Sequence, residues 1–427
     1  MRNTIDPQAA SHPGSHRVRT QCRACDQARL ARFLELGPQP LANAFLRSPE
    51  EFGIEARYPL DVYLCTHCGL VQLVDVIDPE LLFRDYVYVT GTSSTIAEHN
   101  RRYAETVVDF LRIGGDDLVV EVASNDGSLL ACFGALGVRT LGVEPARNIA
   151  ALARGKGIET IDEFFSEASS RRIRSRFGPA RAVIGNNVLA HVDDTQDFLR
   201  GARQLLAPGG LVVIEVPSLS EFVDRLEYDT VYHEHLCYFS VTALMRLAES
   251  VGLSVVRIDR QPVHGGSIRM YAADRDSVTE HSPSVRALAD REAAEGLTTL
   301  PRFLGFATEV AAQREELIRL LRHLKATGKR VAAYGAPAKG NTLLNYCGIT
   351  PELVEYTVDR NALKIGTWTP GSHLPVRPYE TLATDAVDYL LILAWNFAEE
   401  IMAQPQERAF HERGGRFILP LPMPKVV

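Results

Sequence analysis

Two Cys-x-x-Cys knuckles, Cys22-Arg23-Ala24-Cys25 and Cys65-Thr66-His67-Cys68, set four thiols at the spacing that places soft ligands on the corners of a tetrahedron. Zn²⁺ accepts that geometry without strain, and Gly69 supplies the tight turn after the second knuckle. A closed shell of four thiolates leaves no position for water, so the metal expected at Cys22, Cys25, Cys65 and Cys68 is one structural Zn²⁺ and not a catalytic ion. His67 reads as a solvated loop residue. Cysteines 132, 237 and 347 bring the count to seven, and an odd number in a long chain argues against a disulfide framework.

The densest titratable run is Tyr228-Asp229-Thr230-Val231-Tyr232-His233-Glu234-His235-Leu236-Cys237-Tyr238. Two imidazoles, two carboxylates and three phenols are more acid–base chemistry than a packing segment needs, which marks a reaction centre. A metal pair at His233 and His235 would require a strand to aim both rings one way and a third ligand nearby, and none stands close. General acid–base work by groups of this run fits better, and a plain structural role for its histidines stays open.

Elements must bring these groups to a ligand. A helical lead-in over 94–111 precedes the apolar strand 117–122, a turn Ala123-Ser-Asn125-Asp-Gly127 and a helix start; the strand 139–143 then ends in Glu144. That is half of a nucleotide-binding βαβ unit, in which the acid closing the second strand accepts ribose hydroxyls. The turn carries one Gly where a dinucleotide fingerprint wants three. The later strands, 181–189 and Leu206-Ala-Pro-Gly-Gly-Leu-Val-Val-Ile214, resemble the fourth and fifth strands of S-adenosylmethionine methyltransferases. His264-Gly-Gly-Ser267 feeds another strand, with Arg269 offered to a phosphate or carboxylate. Helices over 283–328 lead to a second βαβ signature, 330–341 followed by 354–359. Gly335 and Gly340 have P-loop spacing, but Asn341 stands where the Walker lysine belongs, which argues against triphosphate hydrolysis. Lys339 at the helix start suits a diphosphate, and a purely structural turn there stays open.

Composition narrows the partners. The chain has 427 residues, 46% hydrophobic and 23% charged, with 46 basic against 53 acidic side chains for a net charge of −7. Nucleic acid and anionic membrane are poor partners for that balance, and no apolar run approaches the ~20 residues of a bilayer span. Residues 1–20 read as a disordered, polar start without an apolar signal region, so a cytoplasmic enzyme is expected.

Taken in order, the two knuckles, Glu121-Val-Ala-Ser-Asn-Asp-Gly127, Tyr232-His-Glu-His235, His264-Gly-Gly-Ser267 and Gly335-Ala-Pro-Ala-Lys-Gly-Asn341 resemble the zinc-containing sugar C-methyltransferases. That family acts at C-3′ of dTDP-linked 4-keto sugars and makes branched deoxysugars of antibiotics. The resemblance implies an α/β chain of three parts: a zinc module over 21–80, a Rossmann-like methyltransferase domain over 81–282, and a Rossmann-like C-terminal domain over 283–427 that helps to hold a dTDP-linked keto deoxysugar. It implies S-adenosylmethionine bound by Glu121, Ala123, Asn125, Gly127, Glu144 and Asn187, with Arg269, Lys339 and Asn341 toward the sugar nucleotide. Tyr88, His191, Tyr232, Glu234 and His235 match the family's active-site groups. One departure is Asn361-Ala362 where Asn-Pro is expected. The implied chemistry is proton removal beside a ketone, with His235 as base, Glu234 orienting it, and His191 with Tyr88 or Tyr232 donating to the enolate oxygen. An NAD-dependent sugar-nucleotide dehydrogenase or epimerase remains the alternative enzyme. A zinc module for nucleic acid is opposed by the charge. The oligomeric state stays open, a monomer being compatible with these features.

Overall fold

Parallel strands buried on both faces read as unbroken apolar runs, and Leu118–Val122, buried at all five positions, is the innermost of them. The computed structural model describes residues 15–84, 94–278 and 282–427; Tyr88 lies outside them. Leu118–Val122 belongs to a seven-stranded sheet ordered Leu253–Gln261, Ser267–Asp274, Leu206–Pro217, Ala180–Asn186, Leu118–Val122, Arg139–Val143, Thr160–Ile161. The last five are parallel, and the first two form an antiparallel pair on the edge of Leu206–Pro217. Alternation sorts the side chains. Val119 and Val213 pack with Tyr103, Val107, Leu130 and Phe133 on one face, whereas Val120, Val122 and Val212 pack with Phe198 and Leu205 on the other. Chain order reverses direction between Leu118–Val122 and Ala180–Asn186, and ligands of such sheets bind outside the carboxyl ends at that switch.

A six-stranded sheet follows, ordered Val376–Pro378, Thr357–Asp359, Val331–Tyr334, Tyr389–Ile392, Arg416–Leu419, Lys425–Val426, parallel except for the final hairpin. The helices expected over 283–328 are Pro283–Ala294 and Leu300–Ala326. The longer one is a buttress: Phe303 meets Phe33 of the zinc module at 4.8 Å and Phe306 meets Phe222 of the methyltransferase domain at 5.0 Å, all four buried.

The zinc module is an antiparallel sheet of Leu30–Gln39, Tyr58–Cys65 and Val71–Leu73. Its fourth strand, Cys237–Tyr238, comes from the titratable run, with Cys237 opposite Gln72 and Tyr238 opposite Val71. The disordered start expected through residue 20 is too long. His16–Val18 pairs with Asp75–Ile77, and His16 Nε2 lies 2.8 Å from Asp75 Oδ1. That partner is far along the chain, so nothing local in the sequence announces it.

Candidate active site

The metal centre is assembled before any ion is considered. The four Sγ atoms of Cys22, Cys25, Cys65 and Cys68 lie within 4.8 Å of one another, with Cys22 to Cys68 at 3.4 Å and Cys25 to Cys65 at 3.7 Å. Four thiolates at ~2.3 Å from one Zn²⁺ would stand about 3.8 Å apart, so the cage fits the ion. Gln72 Nε2 donates to Cys22 Sγ at 3.1 Å. Gly69 has φ +80°, as the turn after the knuckle requires. His67 is exposed and stays out of the cage.

A cavity of about 830 Å³ lies between the carboxyl ends of the seven-stranded sheet, the titratable run and the C-terminal domain. At its switch-point end the turn after Leu118–Val122 holds Ala123 at φ 55° and Asn125 at φ 49°, and Asn187 beyond Ala180–Asn186 is at φ 55°. Left-handed non-glycine residues cost ~1–3 kcal/mol each and gather at ligand clamps. Gly127 is at φ +75°, and a Cβ there would stand 2.9 Å from Ile158 Cγ1, so only glycine fits. Glu144 Oε2 accepts from Asn125 N and Oε1 from Ala146 N, both at 2.9 Å. Each oxygen keeps a lone pair for a ligand hydroxyl. Burial raises the Glu144 carboxyl above its ordinary range, against these hydrogen bonds. Glu121 is raised well above that range by burial, then by the carboxylates of Glu144 and Asp126. Its Oε2, Ser124 Oγ and Asn187 Oδ1 are buried without partners among the described residues. Buried polar atoms of this kind call for a polar ligand, and they fit the ribose and amino-acid ends of S-adenosylmethionine.

The titratable run supplies the cavity wall. His235 Nδ1 lies 2.8 Å from Thr230 O and Nε2 lies 2.7 Å from the Tyr232 hydroxyl. A carbonyl can only accept, so Nδ1 carries the proton, Nε2 is the basic nitrogen, and Tyr232 donates to it. His191 meets His235 edge to face at 4.8 Å. Burial pushes its pKa down to about 4, so it is neutral at pH 7, and its Nδ1 has no partner among the described residues. Three expected roles change. Glu234 does not orient His235, because Thr230 does; Glu234 Oε1 instead accepts from Asn43 Nδ2 at 2.6 Å. Arg269 does not stand free for a phosphate: it is 2% exposed and held two-pronged by Glu215 at 2.8 and 2.7 Å, with its guanidinium 3.7 Å from the Tyr103 ring centre. Asn341 is fully buried and donates to Ala42 O at 2.7 Å, tying the C-terminal domain to the zinc module.

Lys339 does line the cavity, with Nζ 4.8 Å from the Trp395 ring centre. Burial lowers its pKa while Asp229 and Glu227 pull it back up. Those acids are themselves raised by burial, Glu227 to about 7 and Asp229 to about 6. Sequence reasoning missed Lys364, which lines the same wall and donates to Ala336 O at 2.7 Å. Its signal was its place just after the strand Thr357–Asp359, where βαβ units put ligand contacts.

A sheet in this order, with an acid-lined crevice at its switch point, defines an S-adenosylmethionine-dependent methyltransferase, here joined to a four-cysteine zinc-binding module. Comparison with known proteins agrees. Family models match as a zinc binding domain over residues 22–83, a methyltransferase domain over 96–258 and a C-methyltransferase C-terminal domain over 262–422. The C-methyltransferase NovU of Streptomyces niveus is 39% identical over 407 residues, covering 95% of this chain and 96% of that protein. The chain therefore belongs to the C-methyltransferase family, an enzyme that methylates carbon. The dehydrogenase and nucleic-acid readings are set aside. Among solved structures, magnesium protoporphyrin IX methyltransferase of Synechocystis with bound SAM is 13% identical over 42% of this chain and 80% of that one, at a TM-score of 0.31. The PH0226 protein of Pyrococcus horikoshii is 14% identical over 44% of this chain and 94% of that one, at 0.35.

Proposed function

We propose that the enzyme methylates C-3′ of a dTDP-linked 4-keto deoxysugar through an enolate, in the making of a branched deoxysugar. The observation that carries the reading is the Tyr232–His235 pair of fixed tautomer beside His191 in the cofactor cavity. When bound, S-adenosylmethionine supplies a methyl group made electrophilic by its sulfonium. His235 Nε2 takes the proton from the carbon beside the ketone, with the Tyr232 hydroxyl placed to hand it across. His191 is the donor to the oxygen on which the enolate charge gathers. With both ligands bound, this cavity would bring the nucleophilic carbon up to the methyl group. Lys339 and Lys364 offer two cations to the diphosphate from the C-terminal wall, while Glu121, Asn125, Glu144 and Asn187 keep the methyl donor at the opposite end.

The test is His235→Asn. It should abolish methyl transfer and also the exchange of the substrate's C-3′ proton with deuterated water, while S-adenosylhomocysteine and the dTDP-sugar still bind. His191→Asn should slow turnover by ~10²–10³, as loss of one oxyanion donor does. Exchange at the normal rate in His235→Asn would pass the base role to Tyr232 or His191. A product methyl found by NMR on another carbon would overturn the C-3′ assignment.

A further inference from the structure

Arg23 sits between the first two thiols of the metal cage, and its side chain is fully buried. A cage of four thiolates around one divalent ion carries a net double negative charge, which a buried guanidinium beside it offsets. The same guanidinium faces away from the cage toward the methyltransferase domain: Nε donates to Asp193 Oδ1 at 3.1 Å with Nη2 3.0 Å from that oxygen, Nη1 lies 3.2 Å from Gln72 Oε1, and Nη1 also donates to Leu73 O; Arg17 and Arg19 reach the Asp193 carboxylate as well. The Arg23 backbone grips the same stretch. Its carbonyl accepts from Thr195 Oγ1 at 3.0 Å and from Gln196 Nε2 at 3.3 Å. Asp193 is two residues from His191. On the other side of that histidine, Ala190 O accepts from Leu236 N at 2.7 Å, while Leu236 O accepts from Leu73 N at 3.0 Å. The short turn Leu189–His191 is thus fixed at both ends to the strand and knuckle that hold the metal.

We propose that Arg23 is a positioning residue for the reaction: anchored at the metal cage, it holds through Asp193 the turn that presents His191 to the enolate oxygen. The inference rests on the reading of His191 given above. It makes the zinc module more than a source of folding energy. A ring displaced by ~1 Å loses on the order of 10²-fold in rate, and a fully buried planar guanidinium restrains such a displacement better than a flexible ammonium can.

Asp193→Asn tests this on the loop side, away from the cage, and Arg23→Lys tests it on the module side. Each should keep one zinc per chain, an unchanged melting temperature to within a few degrees, and S-adenosylhomocysteine affinity within about twofold, while turnover at saturating substrates falls ~10- to 100-fold with little change in KM. In a His191→Asn background the Asp193→Asn loss should vanish, because both changes remove the same interaction. An equal loss in both backgrounds, or wild-type turnover in Asp193→Asn while His191→Asn is slow, overturns the inference and leaves the role of His191 intact. Wild-type turnover in His191→Asn removes that role itself and the inference with it. Arg17 and Arg19 also reach Asp193, so Arg17→Ala and Arg19→Ala are the controls: wild-type turnover in both assigns the hold to Arg23, and a loss in either one equal to that of Asp193→Asn overturns it.

Discussion

At the scale of single residues, a carboxylate can be read from its place on a strand, but its partners cannot. Glu144 follows Arg139–Val143, and its reading as a ribose acid came from its place at the end of the second strand of a βαβ unit. Glu144→Ala should weaken S-adenosylmethionine by ~1.5–3 kcal/mol, the range for hydrogen bonds to a charged group, while dTDP-sugar affinity holds. Calorimetry on both ligands checks it, and an equal loss for both would mean that the turn clipped by Asn125 N and Ala146 N has collapsed. Arg269, Glu234 and Asn341 were misjudged for one common reason. Arg269 and Asn341 suit a ligand and Glu234 a neighbouring imidazole, but Glu215, Ala42 and Asn43 lie 54, 299 and 191 positions away and engage them. The tautomer of His235 was likewise invisible, because a backbone carbonyl sets it and every residue type has one.

At the scale of elements the sequence was far more legible. The lead-in helix Ser94–Leu111 and the strands Ala180–Asn186 and Leu206–Pro217 fall within a few residues of where the sequence put them, since each is a local apolar pattern. Spacing alone also sufficed for the metal cage. Purified protein should carry about one zinc per chain, and Cys65→Ser should lose most of its folded yield, because binding at a structural site is folding free energy. Metal analysis with thermal unfolding reads both, and a stable, metal-free chain would refute the assignment. What patterns could not show was the strand Cys237–Tyr238 leaving its own domain to finish the zinc sheet: two residues are too short for a period.

Across the whole molecule, buried titratable groups oppose one another in their effect on pH stability. His191 and His233 are both pushed down to about 4 by burial, and His233 Nε2 donates to Pro59 O. Their folded values lie below the ordinary ~6.5, so their contribution is present above that pH and is lost as pH falls toward 4. Glu227 and Asp229, raised to about 7 and 6, act in the other direction: they favour folding below the ordinary carboxylate range and lose that contribution as pH rises through 6 to 7. The wild-type profile between pH 4.5 and 6.5 should therefore be shallow. His233→Gln, which keeps a donor for Pro59 O, should tilt that profile, gaining ~1.4 kcal/mol of stability relative to the wild type for each pH unit of acidification within the window. Urea titrations at several pH values measure the difference, and parallel profiles would show that His233 is protonated in the native state.

The strand exchange also sets a timetable for the nascent chain. Val71–Leu73 is buried at every position in the finished protein, yet its partner Cys237–Tyr238 leaves the ribosome only after about 165 further residues, on the order of ten seconds or more at ~5–20 residues per second. For that interval a short apolar strand waits with an open edge, the kind of surface that pairs with other chains. The zinc module is synthesised before the strand that completes it.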